Sequence, residues 1–202
     1  MTDDDVSDSD PDAGFDPDSG LDAGPFRVLP GRTDEEWLLL DVASADPVSI
    51  PRASLPDVSV GNRVGGTLEW TGDAPTLSDP VVESTTRFRF RRTEEPIFEA
   101  AEGCFETARA SGDPMNARVT YDTDRNPNGV VYTFAAQQSR DLFAEFRDGT
   151  KPLEPLLDRA AESAEPPFSV WVLDPKDPFV VAYIVLEPDG LLDRTMAETY
   201  GR

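Results

Sequence analysis

The chain has 202 residues, with 40 acidic side chains against 18 basic ones, no His and a single Cys, for a formal net charge of -22. Without His there is no Ser-His-Asp or Cys-His catalysis and no His-ligated metal, and one Cys excludes an intrachain disulfide, a CxxC redox pair and a Cys-rich zinc site. What survives is chemistry carried by carboxylates, Arg, Tyr, Ser, Thr or an oxygen-ligated metal.

The chain opens with a 25-residue stretch holding nine Asp and no base. Built from Asp, Ser, Gly and Pro, it is too poor in apolar side chains to offset ordering, so a disordered acidic tail is expected over 1–25. Its acidic start is the opposite of a signal peptide. The longest apolar run, 179–186, is far below the roughly 20 residues that span a bilayer. A soluble, cytoplasmic protein is the expectation.

From residue 26 the pattern is β. Residues 26–29, 37–42, 48–50, 63–70 and 81–92 are short β-type runs separated by Gly, Pro, Asp or Ser. Five strands at this spacing predict a small β-barrel, OB-like or SH3-like, as a domain over 26–95. Gly65 and Gly66 predict a bend or bulge in the fourth run. Strict alternation in Arg87-Phe88-Arg89-Phe90-Arg91 puts the two Phe on one face and the three Arg on the other.

After Pro96 the period changes. Ile97, Ala101, Cys104, Phe105 and Ala108 mark one helical face, closed by Gly112 and Pro114. A hairpin follows over 115–121 and 130–136. Ser139 is read as the N-cap of a helix carrying Leu142, Phe143 and Phe146, and Pro152 as the first turn of another with Leu153, Leu156, Leu157 and Ala160 inward. A second hairpin covers 168–173 and 179–186, its second strand apolar on both faces as a covered central strand would be. Asp189 is read as the cap of a final helix. The order α-β-β-α-α-β-β-α predicts an α+β domain with an antiparallel sheet over 96–202.

The stretches RFRFRRTEEPIFEAAEGCFETAR, VTYDTDRNPNGVVYTF, RDLFAEFRDGTKPLEPLLDRAAE and PPFSVWVLDPKDPFVVAYIVL together resemble an uncharacterised haloarchaeal family, a domain of unknown function, over about residues 26–200. The resemblance implies no activity, cofactor or catalytic residue. It agrees with a composition of 16 Arg to two Lys and 25 Asp to 15 Glu. Charge of this kind destabilises a compact chain in dilute buffer and is screened at molar salt.

Several residues are candidates for a site. Arg87, Arg89, Arg91 and Arg92 form the concentrated basic stripe, and on a barrel they would lie near Trp70 or Trp37, a combination that tracks phosphates and stacks bases. The competing reading is that they pair with carboxylates of the second domain, Glu94, Glu95 or those of the following helix. The run from Asp122 to Gly129 begins like an EF-hand loop, but Gly falls eighth and Thr133 stands where the bidentate Glu belongs, so a polar hairpin turn is expected. Cys104 reads as core. Tyr121, Tyr132 and Trp171 either line a groove or pack beneath helices. With 31 acids outside the tail, a catalytic carboxylate pair cannot be located.

No catalytic residue, metal or cofactor is therefore assigned. The leading expectation is a non-catalytic binding or assembly module of a halophilic archaeal cytoplasm. Single-stranded nucleic-acid binding through Arg87–Arg92 and Trp70 is the first alternative, disfavoured by charge and salt. A carboxylate or Mg-dependent hydrolase is the second. A protein partner stays open and a membrane partner is not expected.

Overall fold

The computed structural model describes residues 23–71, 74–136 and 139–201. The acidic stretch therefore lies outside the described residues up to position 22, and its last three residues open the first strand.

The first sheet holds β1 (Ala23–Pro30), β2 (Glu36–Asp41), β3 (Pro47–Pro51), β4 (Arg63–Thr71) and β5 (Ala74–Ser84), in the order β3-β2-β1-β4-β5. Every pairing in it is antiparallel. Its two register shifts fall at Arg63/Val64 and Gly65/Thr67, so the bend expected at the glycine pair is present as irregular pairing. The sheet curls over a small core of Phe26, Val28, Trp37, Leu39, Ile50, Val64, Leu68 and Leu77.

The sheet does not close into a barrel, OB-like or SH3-like. Its edges, β3 and β5, share no ladder, and the strand expected to complete the barrel lies elsewhere. The run read as one strand over 81–92 breaks at Thr85-Thr86. Its first part ends β5, and its second part, β6 (Arg87–Arg92), pairs in parallel with a strand of the other sheet. The physical reason is burial: Phe88 joins the core beneath the second sheet, and Phe90 packs against it.

The second half runs α1 (Glu99–Ser111), β7 (Met115–Tyr121), β8 (Pro127–Ala135), α2 (Leu142–Arg147), α3 (Glu154–Ala161), β9 (Ser169–Asp174), β10 (Phe179–Val185) and α4 (Leu191–Tyr200). This is the expected α-β-β-α-α-β-β-α order. The sheet order is β6-β9-β10-β8-β7, antiparallel except for the parallel β6 edge. β10 is central and buried at every position. Its side chains alternate between two cores: Val180, Ala182 and Ile184 face one, and Phe179, Val181, Tyr183 and Val185 face the other. The second of these is filled from α1 and α4 by Ala101, Cys104, Phe105, Met196 and Tyr200. The first is filled from α2 and α3 by Phe143, Phe146 and Leu157, and from the first sheet by Leu29 and Leu40. The two sheets thus share this first core.

Three local readings are corrected by the caps. The side chain of Asp141, not Ser139, caps α2 by accepting from the Ala144 N–H at 3.0 Å. Pro155, not Pro152, occupies the first turn of α3. Gly190 is the N-cap of α4, which frees Asp189 for another role.

The seam between the sheets requires one glycine. Gly61 has φ +96, and a Cβ there would collide with the backbone nitrogen of Phe88. Its N–H donates to Val28 O at 2.7 Å, and the neighbouring Val60 O accepts from Phe88 N at 2.9 Å, so this loop stitches β1 to β6. Among the described residues no helix is long and apolar enough to cross a membrane.

Candidate functional site

The basic strand is the natural starting point. Its alternation is realised as expected, with Phe88 and Phe90 edge to face at 6.3 Å and Phe90 against Phe143 at 6.2 Å. The arginines occupy the opposite face and the strand end, where carboxylates meet Arg87, Arg89 and Arg92. Arg87 Nη2 donates to Asp189 Oδ1 at 2.8 Å and lies 3.6 Å from Asp193 Oδ2. Arg89 Nη1 donates to Ser169 Oγ at 2.6 Å and to Asp193 Oδ1 at 3.0 Å, with its guanidinium 4.6 Å from the Trp171 ring centroid. Arg91 turns onto its own strand and donates to Phe90 O at 2.9 Å. Arg92 forks between Asp174 Oδ2 at 2.7 Å and Asp141 Oδ2 at 2.6 Å.

Asp193 is the hub of this arrangement. Besides Arg89, its Oδ1 accepts from Ser169 Oγ at 2.6 Å and Trp171 Nε1 at 2.9 Å, and its Oδ2 accepts from the Asp189 N–H at 2.9 Å. Burial pushes its carboxyl up, but the bonds from Ser169, the Asp189 N–H and Trp171, with the Arg89 charge, outweigh this and hold it below its ordinary value. Asp174 moves the other way. Burial raises it, and the nearby Arg92 charge offsets that only in part. The expected partners are carboxylates of the second domain, Glu94, Glu95 or those of the helix that follows. Instead Glu94 pairs with Lys176 at 2.8 Å, and the carboxylates on the arginines come from α4, the turn before it, the end of β9 and the cap of α2.

Trp70 is on β4 in the first sheet and is 64% exposed, whereas the arginines lie in the second sheet, so the two do not form one stacking groove on a shared barrel. Trp37 is buried, with Arg52 over its ring at 3.8 Å.

The remaining candidates resolve by burial. Asp122 Oδ1 accepts from the backbone N–H of Asp124 and Asn126, so the EF-hand-like run is a hairpin turn whose first carboxylate is engaged by its own loop. These bonds, those from Asn126 above all, hold the Asp122 carboxyl below its ordinary value. Among the described residues no group of three or more Cys, Asp or Glu could hold a metal ion. Cys104 is buried, accepting from Thr133 Oγ1 at 3.4 Å. Trp171 and Tyr132 are buried beneath helices. Tyr132 Oη has no hydrogen-bond partner among the described residues, and burial pushes its phenol up. Tyr121 behaves differently and is 60% exposed.

Tyr121 belongs to a feature that sequence reasoning passed over. On β7 the odd positions Met115, Ala117, Val119 and Tyr121 share one face, and three of them are exposed large apolar side chains. The even positions face α1: Asn116 Nδ2 donates to Cys104 O at 3.1 Å, and Arg118 and Thr120, beside Val119 and Tyr121 at its rim, line a cleft of about 540 Å³ with Glu99, Glu102 and Glu106. Ladder phase follows from Ala135 N donating to Pro114 O at 2.9 Å. Alternation along an antiparallel pair then points the backbone groups of 116, 118 and 120 toward β8, and those of 115, 117 and 119 outward.

The other sheet edges are guarded, as natural edges usually are. β3 begins and ends with Pro47 and Pro51, and β5 contains Pro75 and Pro80. β6 is covered at Phe88 by the Val60 carbonyl and at Phe90 O by the Arg91 guanidinium. β7 contains neither Pro nor Lys, and the one register shift in its ladder, after Thr120, skips Asn128 on the partner strand β8. The alternation in MNARVTY was a legible signal of a one-sided apolar strand. That Met115, Val119 and Tyr121 stay exposed was not.

Residues 19–202 match a family of unknown function, DUF6663. No curated protein and no solved structure matches the chain.

Proposed function

The chain belongs to the family of unknown function DUF6663, and we propose that it is a non-catalytic binding or assembly module of a halophilic archaeal cytoplasm that works through the open β7 edge. One observation carries this reading. Among the described residues β7 is a sheet edge whose outward backbone groups join no ladder, and an exposed apolar row, Met115, Val119 and Tyr121, lies on the same strand. An edge of this kind binds by strand addition, with main-chain hydrogen bonds supplying affinity and alternate side chains supplying specificity.

Two further features support a non-catalytic role. The carboxylates that meet the β6 arginines are engaged in the Asp193 and Arg92 clusters, and the chain contains no His. The Arg87–Arg92 partners also weigh against the nucleic-acid alternative, because cations already held by carboxylates release few counterions from a phosphate backbone. The halophilic habitat rests on the charge of -22 and the scarcity of Lys.

The test is site-specific photo-crosslinking of the full chain in concentrated salt extract, with a photoreactive residue at Val119 and, as a control, at exposed Thr107 on α1. Adducts at position 119 and none at 107 are expected. Absence of adducts at 119 overturns the reading, as does hydrolase turnover that a single carboxylate substitution abolishes.

A further inference from the structure

We infer that the β7 edge takes a second copy of this chain, paired antiparallel across a two-fold axis at Val119, so that the two second sheets become one continuous sheet. The inference rests on the binding role of β7 and names its partner.

Three observations single out a second copy in this register. The first is the supply of free backbone groups. The Ala117 N–H is already taken by Asn116 Oδ1 at 2.9 Å, whereas the Val119 N–H also points outward and meets no such acceptor among the described residues. A two-fold axis at Val119 sets Val119 opposite its own copy, where each N–H meets the other's carbonyl, and reaches Ala117 only at the ends of the pairing.

The second is charge. A two-fold axis at Arg118 would set two guanidiniums face to face, and like charges directly opposite destabilise a strand pair. Centring on Val119 sets Arg118 opposite Thr120 of the other copy. That Thr120 lines the cleft walled by Glu99, Glu102 and Glu106, so each Arg118 faces the acidic helix of its mate. One patch thus offers both the cation and the anions, which is the self-complementarity an isologous contact needs.

The third is size. The same register sets Ala117 opposite Tyr121, a small side chain beneath a large exposed one, on the apolar face. β7 ends at Tyr121, two residues past the axis, so the pairing is short and the dimer weak. Two chains of -22 repel each other, which makes association salt-dependent: promoted at molar KCl and lost in dilute buffer.

Sedimentation equilibrium of the full chain from about 0.2 to about 3 M KCl tests this. A mass near 22.1 kDa at low salt and near twice that at high salt and high concentration is expected. Val119→Lys and Val119→Pro should remain monomeric at every salt, with circular dichroism unchanged. Both are tolerated by the fold, because the side chain is 42% exposed and the N–H points away from β8. The register is read from Val119→Cys, which should oxidise to a covalent dimer while Met115→Cys does not. Residues directly opposite on the axis lie about 5.5 Å apart, within disulfide reach, and native Cys104 is buried. A chain that stays monomeric at all salts, a dimer that survives both Val119 variants, or a covalent dimer from Met115→Cys alone overturns the inference. Photo-adducts at Val119 of a mass other than two chains would overturn the second copy while leaving the binding role of β7 in place.

Discussion

Arg27 of β1 and Glu154 of α3, 127 residues apart in sequence, meet as a buried bidentate pair, with Nε to Oε1 at 2.7 Å and Nη2 to Oε2 at 2.9 Å. The third donor, Arg27 Nη1, reaches Gly61 O at 2.7 Å, and the guanidinium lies 5.4 Å from the Phe88 ring centroid. The pair therefore sits where the first sheet, the β6 strand and α3 converge. Removing one partner leaves an uncompensated buried charge, so Glu154→Gln should destabilise the chain by about 3–5 kcal/mol. Arg27→Met combined with Glu154→Leu should cost far less. A double-mutant cycle by urea unfolding decides the matter, and a Glu154→Gln variant as stable as wild type would show that the seam does not depend on the pair.

Asp193 fastens α4 to the second sheet. Asp193→Asn keeps one acceptor but loses the charge that Arg87 and Arg89 face, and should destabilise by about 2–4 kcal/mol at neutral pH. Because the folded-state value is depressed, its contribution is complete above the unfolded value, roughly 3.9, and is lost as pH falls through the lower folded value. Wild-type stability should therefore drop below about pH 4 more steeply than that of Asp193→Asn. Parallel acid titrations of the two proteins, followed by far-ultraviolet circular dichroism, would contradict this account if the curves ran parallel.

Tyr132 offers the opposite case. Its hydroxyl is buried without a partner among the described residues, so it carries a desolvation cost with no bond in return. Tyr132→Phe should stabilise the chain by about 1 kcal/mol. A fall in the urea midpoint would reveal a partner for the hydroxyl.

The charge itself predicts a salt response. The thermal midpoint should rise between about 0.2 and about 3 M KCl as self-repulsion is screened. It should rise less in a variant with Asp34, Asp57, Asp113 and Asp158, all exposed, changed to Asn. Equal slopes for the two proteins would assign the response to general salting-out and leave the halophilic reading without support.

The helices and hairpins of the second half were legible because their periods are written along the chain. Ile97, Ala101, Cys104, Phe105 and Ala108 recur at helical spacing whatever they pack against, and 179–186 reads as a covered strand because no polar residue interrupts it. The caps were less legible. Asp141 and Ser139 are both good N-cap residues, and only the Asp141 side chain reaches a free backbone N–H. The barrel was misread because strand count and spacing do not say which strands are neighbours. Phe88 and Phe90 suit either sheet, and the larger shared core claims them.

The candidate site divides along the same line. The sequence alone determined which chemistries are excluded, the alternation that separates Arg from Phe on β6, the one-sided apolar pattern of β7 and the distribution of charge. All of these are properties of residue type and local spacing. Only the tertiary structure decided that Arg89 finds Asp193, 104 residues away, that Arg92 finds Asp174 and Asp141, and that Tyr121 stays exposed while Tyr132 does not. Pairing and coverage depend on which distant segments share a surface, and neighbouring residues carry no record of that.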